Sequence, residues 1–440
     1  MRRALTLALL GLLHARSAGA QGALPEARVR MRLDALFRGV PRYVLTASER
    51  QATADERYWR ATALAPWVSR AVLDASGLYR GRVEAHLSAW GAVDLAVSDP
   101  GHFAAGDLAV AWARGREGPW SVWLGRRFVP WGPPGGLHVD GVGVEARAGA
   151  FEAEAMVGRP VTPAYGGAAG AQPGFDGVTA TSGARLGWAS PGRAAVSVSY
   201  VERWARGVAG VRALSLDASA SPHAKLELRG SLALDAAGVG VSQASADLEW
   251  FALRALTVGA GYGHVDPSRL LPRWSILSVF ATDVFDEARL SLAWRPSRAV
   301  SLRVEGAGQR YATPGAEEAA RWGHRVEGAL RVSSSDRARQ CTVSASRRDD
   351  GVRPLTVIRV AGLWTVGGAL ALALEAALAV DDDGPSSPRT SAYTRGSVEV
   401  PLGGAWRLGA SVDGVRSPLA VAELRGLVHA SWTFERGGRP

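Results

Sequence analysis

Lys225-Leu226-Glu227-Leu228-Arg229-Gly230-Ser231-Leu232-Ala233-Leu234-Asp235 carries Leu or Gly at every even position and Lys, Glu, Arg, Ser, Ala or Asp at every odd one. Successive side chains of an extended chain point to opposite sides, so this stretch reads as a strand with one apolar and one polar face. The same alternation returns at Glu287 to Trp294, Ser301 to Glu305, Arg325 to Val332 and Trp406 to Asp413. Gly, Pro, Ser and Asp interrupt it at short intervals, as turns do.

Each alternating segment is about ten residues long, against about five or six for the strands of a soluble sandwich. Charge also falls in mid-segment: Arg303, Glu305, Arg325, Glu327 and Arg331 all lie on the polar face. Segments of this length and pattern suit tilted strands that cross an outer membrane with apolar residues toward lipid and polar ones toward a lumen. The predicted fold is therefore all-β, a single closed antiparallel transmembrane β-barrel, with a best count of about 22 strands in a range of about 16 to 22. The first strand is placed at Val29 to Phe37 and the last at Leu424 to Phe434, and an even count puts both termini at one end.

Connection lengths test this independently, because such barrels have short turns at one end and longer loops at the other. Short turns fall near Gly149-Ala150, Ser190 to Arg193, Ala252 to Ala255, Pro296 to Val300, Ser334 to Arg339, Gly367-Gly368 and Pro401 to Ala405. Longer connections lie between them, near Phe128 to His138, Pro160 to Thr181, Pro267 to Phe285, Ala312 to Arg321, Arg348 to Pro354, Asp381 to Pro388 and Arg416 to Ala422. Ala205-Arg206 and Ala236 to Gly238 are short where a loop is expected.

Composition agrees with one large exported domain. The 440 residues are 47% hydrophobic and 21% charged, and no run reaches the roughly 18 apolar residues of a membrane-spanning helix. Met1-Arg2-Arg3, the apolar run Ala4 to Leu13 and the small residues Ala18-Gly19-Ala20 have the order of a secretory signal peptide, so residues 1–20 are expected to be removed and 21–440 to form the barrel. Losing Arg2, Arg3 and Arg16 takes the formal charge from +10 to +7. Cys341 is the single cysteine, so no intrachain disulfide is available. Lys225 is the one lysine; the remaining basic residues are Arg, spread without the stripe that a nucleic acid needs.

The last strand, Gly426-Leu427-Val428-His429-Ala430-Ser431-Trp432-Thr433-Phe434, resembles the C-terminal signal of bacterial outer-membrane β-barrels, although six residues follow Phe434. Leu124-Gly125-Arg126-Arg127-Phe128-Val129-Pro130-Trp131-Gly132, leading to Asp140-Gly141-Val142-Gly143-Val144-Glu145, looks like a strand-loop-strand unit of porin-like proteins. The resemblance to the porin-like family implies passive passage of small solutes through a single barrel. It also implies that Trp432 and Phe434 act as the membrane-insertion signal read by the barrel-assembly machinery. Outer-membrane lipid and lipopolysaccharide would surround the barrel, and a homo-oligomer is possible.

Inward parity nominates the lumen residues: Arg28, Arg30, Arg32, Arg82, Glu84, His86, Glu145, Arg147, Glu152, Glu154, Glu227, Arg229, Glu287, Arg289, Arg303, Glu305, Arg325, Glu327 and Arg331. Both signs stand side by side, which suits either a transverse field across a water channel or salt bridges that fill the lumen. The Arg excess suggests a mild anion preference. Phe128 to His138 reads as a rigid external turn, with a lumen constriction as the alternative, and the apolar segment Leu270 to Phe280 as a constriction, a subunit contact or a further strand. Asp381-Asp382-Asp383-Gly384 reads as a solvated turn, with a divalent-cation site as the alternative. Gly259-Ala260-Gly261-Tyr262-Gly263 has no helix after it and is no nucleotide loop. No G-x-S-x-G, H-E-x-x-H or Walker motif occurs, so no catalytic residue, metal or cofactor is expected.

Two functions follow as expectations. The first is a channel for passive diffusion of small polar or anionic solutes in the bacterial outer membrane, reached by export through the periplasm. The alternative is a non-conducting barrel that serves as a scaffold in surface polysaccharide assembly or export, or as a sheath for partner proteins. An outer-membrane enzyme is the third class.

Overall fold

The computed structural model describes residues 27–45, 59–64, 66–95, 104–132, 136–161, 178–205, 208–270, 284–312, 320–350, 354–367, 369–381, 389–417 and 420–436. The expected signal peptide, most of Leu270 to Phe280, and Asp382 to Gly384 lie outside them.

The strands follow one another along the chain. The first eight are β1 (Arg28–Leu45), β2 (Trp59–Leu64), β3 (Pro66–Gly77), β4 (Val83–Asp94), β5 (Ala104–Glu117), β6 (Trp120–Val129), β7 (Leu137–Ala148) and β8 (Phe151–Val161). Then come β9 (Val178–Ser190), β10 (Ala194–Ala205), β11 (Val208–His223), β12 (Leu226–Asp235), β13 (Gly240–Leu253), β14 (Leu256–Val265), β15 (Val284–Trp294) and β16 (Val300–Ala312). The chain finishes with β17 (Arg321–Ser333), β18 (Arg339–Asp349), β19 (Pro354–Val366), β20 (Leu370–Asp381), β21 (Arg389–Pro401), β22 (Trp406–Ser417) and β23 (Ala420–Arg436). Every pairing is between antiparallel neighbours, and β2 and β3 lie end to end against β1. The ring therefore has 22 staves, closed where β1 pairs with β23 from Val29↔Arg436 to Gly39↔Gly426.

Closure gives every stave a hydrogen-bonded neighbour on both sides, which is the condition for a sheet to stand in an apolar medium. The barrel staves run from 10 to 18 residues, longer than the sequence pattern suggested, because β1 and β23 continue past their alternating cores. Arg28 to Arg38 is part of the wall.

The expected division of connections holds at one end. Two-residue links at Gly118-Pro119, Gly149-Ala150, Ala224-Lys225 and Arg254-Ala255 share it with slightly longer links at Pro191 to Arg193, Arg295 to Ala299, Ser334 to Ala338 and Leu402 to Ala405. Both described termini are there too. At the other end Ala236 to Val239 joins β12 to β13 and only two residues separate β10 from β11, so the two short exceptions seen in the sequence are real.

Outside, the wall is apolar: Leu33, Trp67, Leu124, Leu186, Leu216, Leu290, Leu330 and Leu374 are all exposed, with Trp120, Phe151, Trp188, Trp250, Trp294 and Trp406 toward the short-turn end. The one compact apolar core lies inside the barrel among the described residues: Trp123, Val129, Trp131, Leu137, Val139, Met156 and Val201.

Candidate functional site in the lumen

That inner core identifies the lumen face. The β6–β7 connection turns into the barrel: the Ser215 hydroxyl of β11 donates to the Gly132 carbonyl at 2.8 Å, and the Trp131 indole N–H donates to Glu154 of β8 at 2.7 Å. Gly132 has φ +100, and a Cβ there would stand 2.5 Å from Val201 of β10; one at Gly183 of β9 would stand 2.9 Å from the Trp131 ring. A connection from β6 can reach β11 only through the lumen. Trp131 and Gly132 thus lie inside the barrel and narrow the lumen there, so at these residues the external-turn reading of the Phe128 to His138 segment gives way to its alternative. Apolar Val129, Trp131 and Leu137 drive it, since they gain burial inside that an outer loop would deny them.

With Ser215 facing in, the register carries that face around the ring. Ser215 opposes Ser199 and Ala233; from Ala233 the odd residues of β12 include Glu227 and Arg229, which oppose Glu249 and Asp247. The face continues through Gly259 and Gly261 to Ser291 and Arg289, then to Glu305 and Ala307, and on to Glu327 and Arg325. It returns through Arg359, Glu375, Arg395, Asp413 and Arg425 to Arg30 and Arg32, and from them to Asp74, His86 and Trp112. Trp432 and Phe434 fall on the opposite, outer face, where their rings stack on each other and Trp432 leans on Trp406.

Two kinds of charged wall result. Beneath the inward fold, Glu145 is 2% exposed and accepts from Arg127 at 2.6 Å and from Arg114, which also donates to Ser121 at 2.9 Å. The Arg127 guanidinium lies 5.8 Å from the Trp112 ring and 5.3 Å from that of Trp123, a cation–π contact on each side. Inward parity pointed to Glu145 and Glu154; it passed over Arg114, Arg127, Trp112, Trp123 and Trp131. The Ser121, Trp123, Arg127 alternation was the available signal for two of these, but the folding of the loop was not.

Around β12 to β17 the wall is an open ladder. Arg325 donates to Glu305 at 2.8 Å, lies 3.4 Å from Glu287 and stands 3.8 Å from Glu327. Arg289 pairs with Asp247 across the side-chain-free Gly261, Gln309 donates to Glu287 at 2.6 Å, Arg303 pairs with Glu305 at 3.0 Å and Arg229 with Glu227 at 2.6 Å. These charges keep water contact: the side chains of Arg303, Arg229 and Glu327 are 68%, 61% and 50% exposed. The remaining nominated residues sit nearer the short-turn rim. Arg82 lies in the β3–β4 connection and pairs with Glu117, Arg147 and Arg185 flank Glu152 at 3.5 and 3.8 Å, Arg331 donates to Gln340, and His86 pairs with Asp74. Among the described residues no three His, Cys, Asp or Glu side chains gather as metal ligands.

The fold and this lumen define a wide antiparallel β-barrel with a charged interior. No family model and no curated protein matches the chain. Among solved structures the barrel is similar to a BenF-like porin from Pseudomonas fluorescens Pf-5, with 10% identity, 93% of this chain and 99% of that one covered and a TM-score of 0.45. Pseudomonas aeruginosa OccK5 (OpdH) gives 10% identity over 93% and 98% with a TM-score of 0.44, and Acinetobacter baumannii OccAB3 gives 7% over 93% and 99% with 0.43.

Proposed function

We propose that the protein is a passive channel of the bacterial outer membrane, through which small polar solutes diffuse along the barrel axis. One observation carries this reading: charges that face the barrel interior, Arg303, Arg229 and Glu327, remain half or more exposed to solvent, which a lumen packed solid would bury. A polar, water-accessible interior within an apolar outer belt is what a diffusion channel requires. The inward fold at Trp131 and Gly132 thickens one sector, so solutes pass beside β12 to β22. Both signs line that path in nearly matched ladders, so selectivity for anions is mild.

In this reading the short-turn end faces the periplasm, and lipid and lipopolysaccharide contact the apolar belt. The barrel-assembly machinery receives the Trp432 and Phe434 strand, and no catalytic step is involved. Planar-bilayer recording of the folded protein under a salt gradient tests it. Discrete conductance steps with a small reversal potential of anion sign are expected. A folded barrel that conducts nothing would replace the channel with the scaffold or sheath.

A further inference from the structure

The wall is not uniform. β5 and β6 pair from Glu117↔Trp120 only as far as Ala111↔Arg126. Above that level β5 continues to Ala104 and still pairs with β4, whereas β6 continues to Val129 paired with β7 alone. Gly106 to Val110 therefore have no strand partner on the β6 side, in a molecule whose other neighbouring staves pair along most of their length. Two irregularities mark the break: the β4–β5 register slips at Ala109, and Gly125 has φ +118 at the point where a Cβ would run into the Ala111 carbonyl.

Side chains fill the gap, with the Asp107 carboxylate accepting from the Leu108 amide at 2.8 Å. The Arg126 guanidinium donates to the backbone carbonyl of Leu108, to Asp107 at 3.1 Å, and to both oxygens of Asp140 at 2.6 and 2.8 Å. Its side chain is 14% exposed and that of Asp107 is 9% exposed, so the guanidinium lies within the wall. With no β6 amide opposite it, the Leu108 carbonyl accepts from Arg126, which supplies the donor that the missing ladder bond would have given. On the lumen side, Arg127 between Trp112 and Trp123 backs the same line.

We infer that the β5–β6 line is a lateral seam of the barrel and that Arg126 is its latch: with the guanidinium withdrawn, the lumen opens sideways to the surrounding apolar phase. The partner this admits is an apolar chain from the membrane, such as a lipid acyl chain. Lys could not replace Arg126, because a single ammonium cannot span Leu108, Asp107 and Asp140 in one plane.

The inference goes beyond axial diffusion and is tested apart from it. Val110 opposes Ser88 and so faces the lumen beside the seam. In a Cys341→Ser background, Val110→Cys in lipid vesicles is treated with a long-chain alkyl maleimide confined to the bilayer and, separately, with a small water-soluble maleimide. With Arg126 intact, the bilayer reagent is expected to react slowly. With Arg126→Ala or Arg126→Lys it should react at least tenfold faster, while the water-soluble reagent keeps its rate. Asp140→Asn, which removes charge from the latch without changing volume, should give a smaller rise and serves should the Arg126 variants not fold. Equal bilayer-reagent rates in a folded latch variant and the parent would overturn the seam. Axial conductance is unaffected by that outcome.

Discussion

Arg325 separates stability from the proposed selectivity of the lumen. It faces Glu305, Glu287 and Glu327 within 4 Å, yet its side chain is 29% exposed, and pairs of that kind contribute at most about 1 kcal/mol each. Arg325→Ala should leave the melting temperature nearly unchanged. It should make the lumen more acidic and shift the reversal potential toward cations, with the permeability ratio moving by about twofold. Glu145 is the opposite case. Glu145→Gln leaves the Arg114 and Arg127 guanidiniums without a carboxylate in a nearly closed pocket, and loss of one partner of a buried pair costs about 3 kcal/mol or more. A lower urea midpoint for loss of the compact, heat-modifiable form on gels is the expected result, and an unchanged midpoint would show the pair to be water-screened.

At the scale of elements, the inward β6–β7 connection is held by packing more than by its two hydrogen bonds. Trp131→Ala removes a ring that is 5% exposed together with the bond to Glu154, a loss of about 3–5 kcal/mol from that local core. The connection should come off the β8 to β11 wall, and single-channel conductance should change, with larger or noisier steps. Identical steps would mean that the fold lies outside the conducting path. The β17–β18 turn offers a pH test. Ser334 and the Ala338 amide donate to Asp336, and these bonds hold its carboxyl below the usual carboxylate range. A depressed carboxylate stabilises the turn above its unfolded value and stops doing so as pH falls through the folded one. Exchange protection of the Ala338 amide should therefore fall on acidification, and Asp336→Asn should abolish that pH dependence.

The whole molecule depends on closure. β23 pairs with β22 on one side and β1 on the other, so a chain cut before Ala420 would leave two unpaired sheet edges. No heat-modifiable folded band is expected from such a truncation. Trp432→Ala with Phe434→Ala keeps every backbone bond and should lower the yield of folded barrel while the protein that does fold keeps its conductance.

Local alternation was enough to read the strands, their two faces and the ring of short turns, because whether a residue points in or out depends only on its neighbours one position away. Glu227, Arg229, Arg303 and Arg325 could be assigned a face in that way, and Trp432 and Phe434 the other. Which charge meets which could not be read, since Arg289 and Asp247 are brought together by register across β14 and by the missing side chain of Gly261. Nor could the inward turn at Trp131, which is favourable only once Val201, Met156 and Ser215 stand opposite it, or the break in pairing that Arg126 fills. An alternating, two-faced chain with an even set of staves was thus legible from residue order alone. How the ring closes, where the lumen narrows and where a side chain holds the wall emerge only in the folded barrel, because they depend on residues that meet only when distant strands are in register.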